Sequence, residues 1–211
     1  MEAIEDSILQ ADELMAGILD PAHNRNHMRE VLRIAEKICE AISDADCDVV
    51  RVAVAWHDVG RLNGEEGHEK ISAKMARQDL LERGASPQFA ERVYAAVIHH
   101  GVDMKPSTLE GDIVRDADKL DYLGVHKWVD PVKSKIRNEI PSLKDRHKLI
   151  ERIPIMREGL LALDASKKMY DEMLPGFMHG MQRLADTAGE RVPEIKSFYE
   201  ELVSKMPDGR F

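Results

Sequence analysis

Ala53-Val54-Ala55-Trp56-His57-Asp58-Val59-Gly60 decides how the rest of this chain is read. From Val49 to Val59 only Arg51, His57 and Asp58 are strongly polar. A helix apolar on nearly every side belongs in the middle of a bundle. A histidine and an aspartate buried there without compensation cost several kcal/mol. A divalent cation compensates most economically. Aspartate supplies a hard anionic oxygen and histidine a borderline nitrogen, a mixture that suits Mn, Fe, Co, Ni or Zn.

Working outward, the periodicity predicts helices on both sides of this stretch. Glu2 to Leu19 reads as an amphipathic helix stopped by Asp20-Pro21. Ala22-His23-Asn24-Arg25-Asn26-His27 opens a second helix that runs to about Ile42, with Asn24 or Asn26 as its N-cap. His27 heads the stripe formed by Val31, Ile34, Ile38 and Ile42. After a polar loop from Gly60 to Gly67, a helix runs from His68 to about Arg83. At a helix N-terminus the dipole disfavours imidazolium, and neutral imidazole is the metal-binding form. Pro87 starts a helix that ends at His99-His100, where Phe89, Val93, Ala96 and His100 share the inner face and His99 lies on the flank. Leu109 to Gly124 is helical again. Asp118 and Asp121 sit on one flank of it and Asp116 on the other. Beyond Trp128 the pattern predicts helices over roughly Leu143–Leu174, with a break or kink at Pro154, then Gly176–Gly189 and Glu194–Met206. No strand alternation and no internal repeat occur. His126, His147 and His179 lack a partner pattern and read as surface or supporting residues.

Composition bounds the function. The 211 residues make one all-helical domain over 1–211, with a core at about 20–125 and a helical extension at about 126–211. A net charge of -9 argues against a nucleic-acid polymer as partner and leaves room for a small phosphorylated substrate met by a few local cations. No apolar run approaches a membrane span, and no basic-then-apolar leader opens the chain, so a cytoplasmic protein is expected. Cys39 and Cys47 lack C-x-x-C spacing and are expected as separate thiols in a reducing compartment.

The ordered pieces Ala-His-Asn-Arg-Asn-His, Trp-His-Asp-Val-Gly, Gly-His-Glu-Lys-Ile-Ser-Ala, Ala-Val-Ile-His-His and Arg-Asp-Ala-Asp-Lys-Leu-Asp-Tyr-Leu-Gly resemble the HD-domain superfamily of metal-dependent phosphohydrolases. The resemblance covers about residues 20 to 125. The stretch Met169 to Met181 is faintly similar to the C-terminal helices of an uncharacterised bacterial and archaeal branch. The resemblance implies an all-α, HD-domain helical bundle with additional C-terminal helices. It implies that His27, His57, Asp58 and Asp118 hold a first divalent metal ion, Mn, Fe, Co, Ni, Zn or Mg. His68 and His100 match positions that hold a second metal in binuclear relatives and contact substrate in mononuclear ones. Asn24 departs from the aspartate that related sequences often carry.

The expected chemistry is hydrolysis of a small phosphate ester or nucleotide by metal-activated water. In this scheme Asp58, His68 and His99 serve catalysis, His99 being either a general acid for the leaving oxygen or a flank residue. Lys119 matches a phosphate-contacting lysine, and Arg61 and His100 are further substrate-binding candidates. Taken singly, Arg61, Lys70 and Lys74 each read more readily as solvated charges. Two other functions use the same pattern: a di-iron oxygenase on the same ligands, and a nucleotide-binding sensor without turnover. The loops Arg61–Gly67 and Val102–Thr108 would set the substrate.

Overall fold

The computed structural model describes residues 2–18, 20, 22–64, 66–101 and 104–206. Among these residues the chain forms ten α-helices and no strand, the all-α architecture expected. It divides into two compact units, one ending at Asp121 and the other beginning at Tyr122.

The apolar run of the HD doublet forms the centre of the first unit. Helix α3 (Cys47–Trp56) starts where the Asp46 carboxylate accepts hydrogen bonds from the amides of Asp48 and Val49. Seven of its ten residues are buried, including Val52, Ala53, Val54, Ala55 and Trp56. It packs against every other helix of the unit: α1 (Glu2–Met15), α2 (Arg25–Glu40), α4 (His68–Glu82), α5 (Pro87–Ile98) and α6 (Leu109–Leu120). Side-chain caps set the starts of α2, α5 and α6. Asn24 accepts from the amides of Asn26 and His27, Ser86 from Phe89, and Thr108 from Gly111. Pro87 adds its preset φ at the first turn of α5. Trp56 donates from its indole to Ser7 Oγ at 3.0 Å, which ties α3 to α1.

Helix α1 ends at Met15, earlier than the proline signal suggests, and Leu19 and Pro21 lie outside the described residues. The loop after the doublet begins as a 3-10 helix over Val59–Asn63. The two cysteines correct the sequence reading. Cys39 and Cys47 form a disulfide, with Cα atoms 5.9 Å apart. Cys39 lies in the last turn of α2 and Cys47 is the first residue of α3. The short reversal between antiparallel neighbours brings them together, a proximity that C-x-x-C spacing does not test.

In the second unit α7 (His126–Ile136), α8 (His147–Gly159), α9 (Asp164–Ala188) and α10 (Pro193–Lys205) surround Trp128, Phe177 and Phe198. Two expectations change here. Pro154 lies inside α8 without breaking it, and the break falls at 160–163 instead. Pro175 and Gly176 lie within a continuous 25-residue α9. A proline inside a helix costs about 3 kcal/mol. The buried stripe of Tyr170, Leu174, Phe177, Met178, Met181 and Ala185 runs past Pro175 on the inner face and offsets that cost. His126 and His179 are exposed, and His147 pairs with Glu201 at 3.1 Å. No helix is long and apolar enough to cross a membrane among the described residues.

Asp12 joins α1 to α2. Its carboxylate accepts from Arg25, and from Arg29 Nε at 2.8 Å and Nη2 at 3.0 Å. Arg25 first, against the opposing effect of burial, and Arg29 with it hold this carboxyl below its ordinary 3.8. A depressed folded-state pKa stabilises the fold above the unfolded pKa, and the gain disappears as pH falls through the folded one. Both arginines remain partly in water, so Asp12→Asn is expected to cost about 1 kcal/mol at pH 7. The difference from wild type should shrink below pH 4 in denaturant melts. A pH-independent difference would show that packing, and not charge, is lost.

Candidate metal centre

The two ends of α3 and α2 place the first group of ligand atoms. His57 caps the C-terminus of α3, and Asp58 follows as the helix gives way to the 3-10 turn. His27 lies in the first turn of α2, one turn inside the Asn24 cap. His27, His57 and Asp58 are each about 1% exposed. His27 Nε2 and His57 Nε2 stand 3.2 Å apart. Asp58 Oδ2 lies 3.7 Å from the first and 3.5 Å from the second. Asp118, in the last turn of α6, brings Oδ1 to 3.3 Å from His27 Nε2. A second group shares Asp58. Its Oδ1 lies 3.2 Å from His68 Nε2, at the start of α4, and 3.8 Å from His100 Nε2, past the end of α5.

Hydrogen bonds on the far side of the rings fix which nitrogen faces inward. His57 Nδ1 meets Val54 O at 2.7 Å, and His100 Nδ1 meets Val97 O at 2.7 Å. These carbonyls belong to the last helical turn, where the regular i+4 amide partner is missing. His27 Nδ1 meets Asp121 Oδ2 at 2.7 Å. A carbonyl accepts only, so His57 and His100 carry their proton on Nδ1. The Asp121 carboxylate imposes the same tautomer on His27. The Nε2 lone pairs of all three therefore point at the carboxylates, the arrangement that metal-ligating histidines use.

The electrostatics agree with that assignment. Burial pushes His57 down to about 3, outweighing the charge of Asp58, so the ring is neutral. Burial opposes ionisation of Asp58, yet the carboxyl lies well below its usual range, with Arg61 Nε donating to its Oδ1 at 2.8 Å. Burial likewise opposes ionisation of Asp118, and Lys119, whose Nζ is 2.7 Å away, overcomes it. Asp58 Oδ2 accepts no hydrogen bond among the described residues. A buried anionic oxygen beside two bare imidazole nitrogens fits a divalent cation and fits little else.

Residues 24–123 match the HD domain family. This segment is an HD domain. Its boundaries run from the Asn24 cap of α2 to the end of the short 3-10 turn Asp121–Leu123. A deoxyguanosinetriphosphate triphosphohydrolase-like protein of Caldanaerobacter subterraneus is 24% identical over 215 residues, covering 86% of this chain. The alignment spans 63% of that relative's length. Two solved structures share the fold. A predicted HD superfamily hydrolase from an uncultured Thermotogales bacterium aligns with a TM-score of 0.61 and 19% identity, over 86% of this chain and 91% of its own. Bacillus subtilis YpgQ, determined in complex with ADP, aligns with a TM-score of 0.63 and 20% identity, over 92% and 97%.

Within the HD domain, the structure brings His27, His57, Asp58, Asp118, His68 and His100 together. Lys119 is buried against Asp118. Arg61 is not a solvated charge: its Nε donates to Asp58 Oδ1 at 2.8 Å. His99 is half-buried at the end of α5, and its Nδ1 is enclosed without a hydrogen-bond partner among the described residues. Lys70 and Lys74 are exposed on α4, as read. Asp116 is fully buried but outside the ligand groups. Asp121 is the residue that sequence reasoning left without a role. Its three-residue spacing from Asp118 was the available signal, because that spacing puts both carboxylates on one side of the last turn of α6. Glu65, Val102 and Asp103, within the loops expected to set the substrate, lie outside the described residues.

Gly60 holds the two halves of the centre at their spacing. Its amide donates to Ser72 Oγ at 2.8 Å. A Cβ built there would stand 2.3 Å from His68 O and 2.8 Å from Ser72 N. Both obstacles involve backbone, so α4 must retreat and carry His68 from Asp58. Gly60→Ala should therefore lower unfolding free energy by about 1–3 kcal/mol in urea melts. A loss below about 0.5 kcal/mol, the scale of a surface change, would show that the contact is not tight.

Proposed function

We propose that the HD domain is a metal-dependent phosphohydrolase acting on a small phosphate ester, with a nucleotide as the favoured class. The observation that carries this reading is the convergence of tautomer-fixed imidazole nitrogens on the buried, ionised Asp58. His27, His57, Asp58 and Asp118 would hold one divalent ion, which when bound supplies a Lewis acid for a phosphoryl oxygen and a nucleophile from water at neutral pH.

The chain's own groups supply the remainder. Asp121 keeps the proton of His27 on Nδ1 and so keeps Nε2 available. The Val54 and Val97 carbonyls do the same for His57 and His100. Lys119 keeps Asp118 ionised and adds the local positive charge that phosphoryl transfer needs around its equatorial oxygens. The half-buried His99, with Nδ1 unengaged, is the candidate to hand a proton to the leaving oxygen. His68 and His100 line the Oδ1 side of Asp58. The nucleotide class draws support from the triphosphohydrolase-like relative and from the ADP bound by the Bacillus subtilis structure. The metal would be Mn, Fe, Co, Ni or Zn, which suit mixed nitrogen and oxygen donors, ahead of Mg, which favours oxygen alone.

The test is release of phosphate or pyrophosphate from a panel of nucleoside mono-, di- and triphosphates and simple phosphomonoesters, with Mn²⁺ added. Turnover should stop on chelation and return with metal. Loss of a residue that merely supports a ligand costs 10–100-fold, so Asp58→Asn should cost about 100-fold or more. Turnover that survives both chelation and Asp58→Asn would remove the mechanism.

A further inference from the structure

We propose that Arg61 occupies the place of a second cation on Asp58, so that the centre takes one divalent ion and keeps a second, built position closed. The inference rests on the metal reading above and concerns the other oxygen of the same carboxylate.

The ligands for a second ion are already in place. Asp58 Oδ1, His68 Nε2 and His100 Nε2 form a buried group, with His68 3.2 Å and His100 3.8 Å from the oxygen. Val97 O holds the His100 proton on Nδ1, which leaves Nε2 in the form that ligates rather than the form that donates to a phosphate. Taken alone, this half of the centre offers three ligand atoms, one fewer than the other half.

The other difference between the halves is Arg61. Its Nε donates to Asp58 Oδ1 at 2.8 Å, and its side chain is 16% exposed. Asp58 Oδ2, on the first-ion side, accepts no hydrogen bond among the described residues. Each oxygen of the carboxylate thus faces two imidazole nitrogens, and Oδ1 faces a guanidinium as well. The backbone dictates this. Asp58 and Arg61 are three residues apart at the start of a 3-10 helix, whose three-residue turn stacks side chains at that spacing. Gly60, pressed against the backbone of α4, holds the helix in register. An ion bridging through Oδ1 would meet a fixed positive charge on the same oxygen in a site with little water to screen it. A guanidinium cannot relieve the conflict by losing its proton.

Metal counting tests this. Wild-type protein, stripped and titrated with Mn²⁺ in equilibrium dialysis, should bind one ion per chain. Its electron paramagnetic resonance should lack the features of an exchange-coupled pair. Arg61→Gln and Arg61→Met, which remove the charge at similar length, should bind two ions. Both should show the coupled signal, with affinity for the second at least tenfold above any residual in wild type. Arg61→Gln combined with His100→Ala should return to one. Two ions in wild type overturn the proposal, whatever the variants do. So does one ion in wild type and in every folded Arg61 variant. Wild type that binds none is a different failure, and it removes the metal reading on which the proposal stands.

Discussion

A carboxylate sealed from water sets the terms for the first unit of this protein. Asp58 is about 1% exposed, and a guanidinium and four imidazoles are arranged around it. Each must arrive from a different element. His27 comes from α2, His57 from the end of α3, Arg61 from the 3-10 turn, His68 from α4 and His100 from the end of α5. The close packing of α3 against its neighbours is the condition for that convergence, and the caps at Asn24, Asp46 and Ser86 fix where the helices begin. Placed in an apolar setting without these groups, the same carboxyl would take up a proton.

Two of the carboxylates near the centre are each matched by a cation of the chain. Asp58 is matched by Arg61 and Asp118 by Lys119. A divalent ion bound there leaves a net positive site, and an anionic phosphate is the complement. The balance is local. The chain as a whole carries -9, so attraction of the substrate depends on these buried cations and not on the general field of the protein.

Much of this was legible before any coordinates. The unbroken apolar run from Val52 to Trp56 requires a central helix, and the spacing puts His27 and His100 on inner faces. Local caps were readable too, because Asn24 acts within three residues of itself. The failures share a cause. The Cys39–Cys47 disulfide, the long α9 through Pro175 and the pairing of Arg61 with Asp58 each depend on a balance that residue types do not display. Pro175 alone predicts a break, and only the buried stripe around it shows why the helix persists. Arg61 alone predicts a surface charge, and only the 3-10 turn shows that it is folded inward. Asp121 was visible as one carboxylate among three, but its contact with a residue 94 positions away was not.

The Cys39–Cys47 disulfide lies at the opposite end of the α2–α3 pair from the ligands. His27 is 12 residues before Cys39, a separation of about 18 Å along a helix at 1.5 Å per residue. The two helices are therefore clamped at one end and carry their metal-binding groups at the other, like the jaws of tweezers joined at the spring. A change in splay of one degree at the clamp moves the tips by about 0.3 Å over that lever. Ligand distances must hold to within about 0.2 Å. The covalent joint at the base thus governs alignment at the tips, although no atom of either cysteine comes near them.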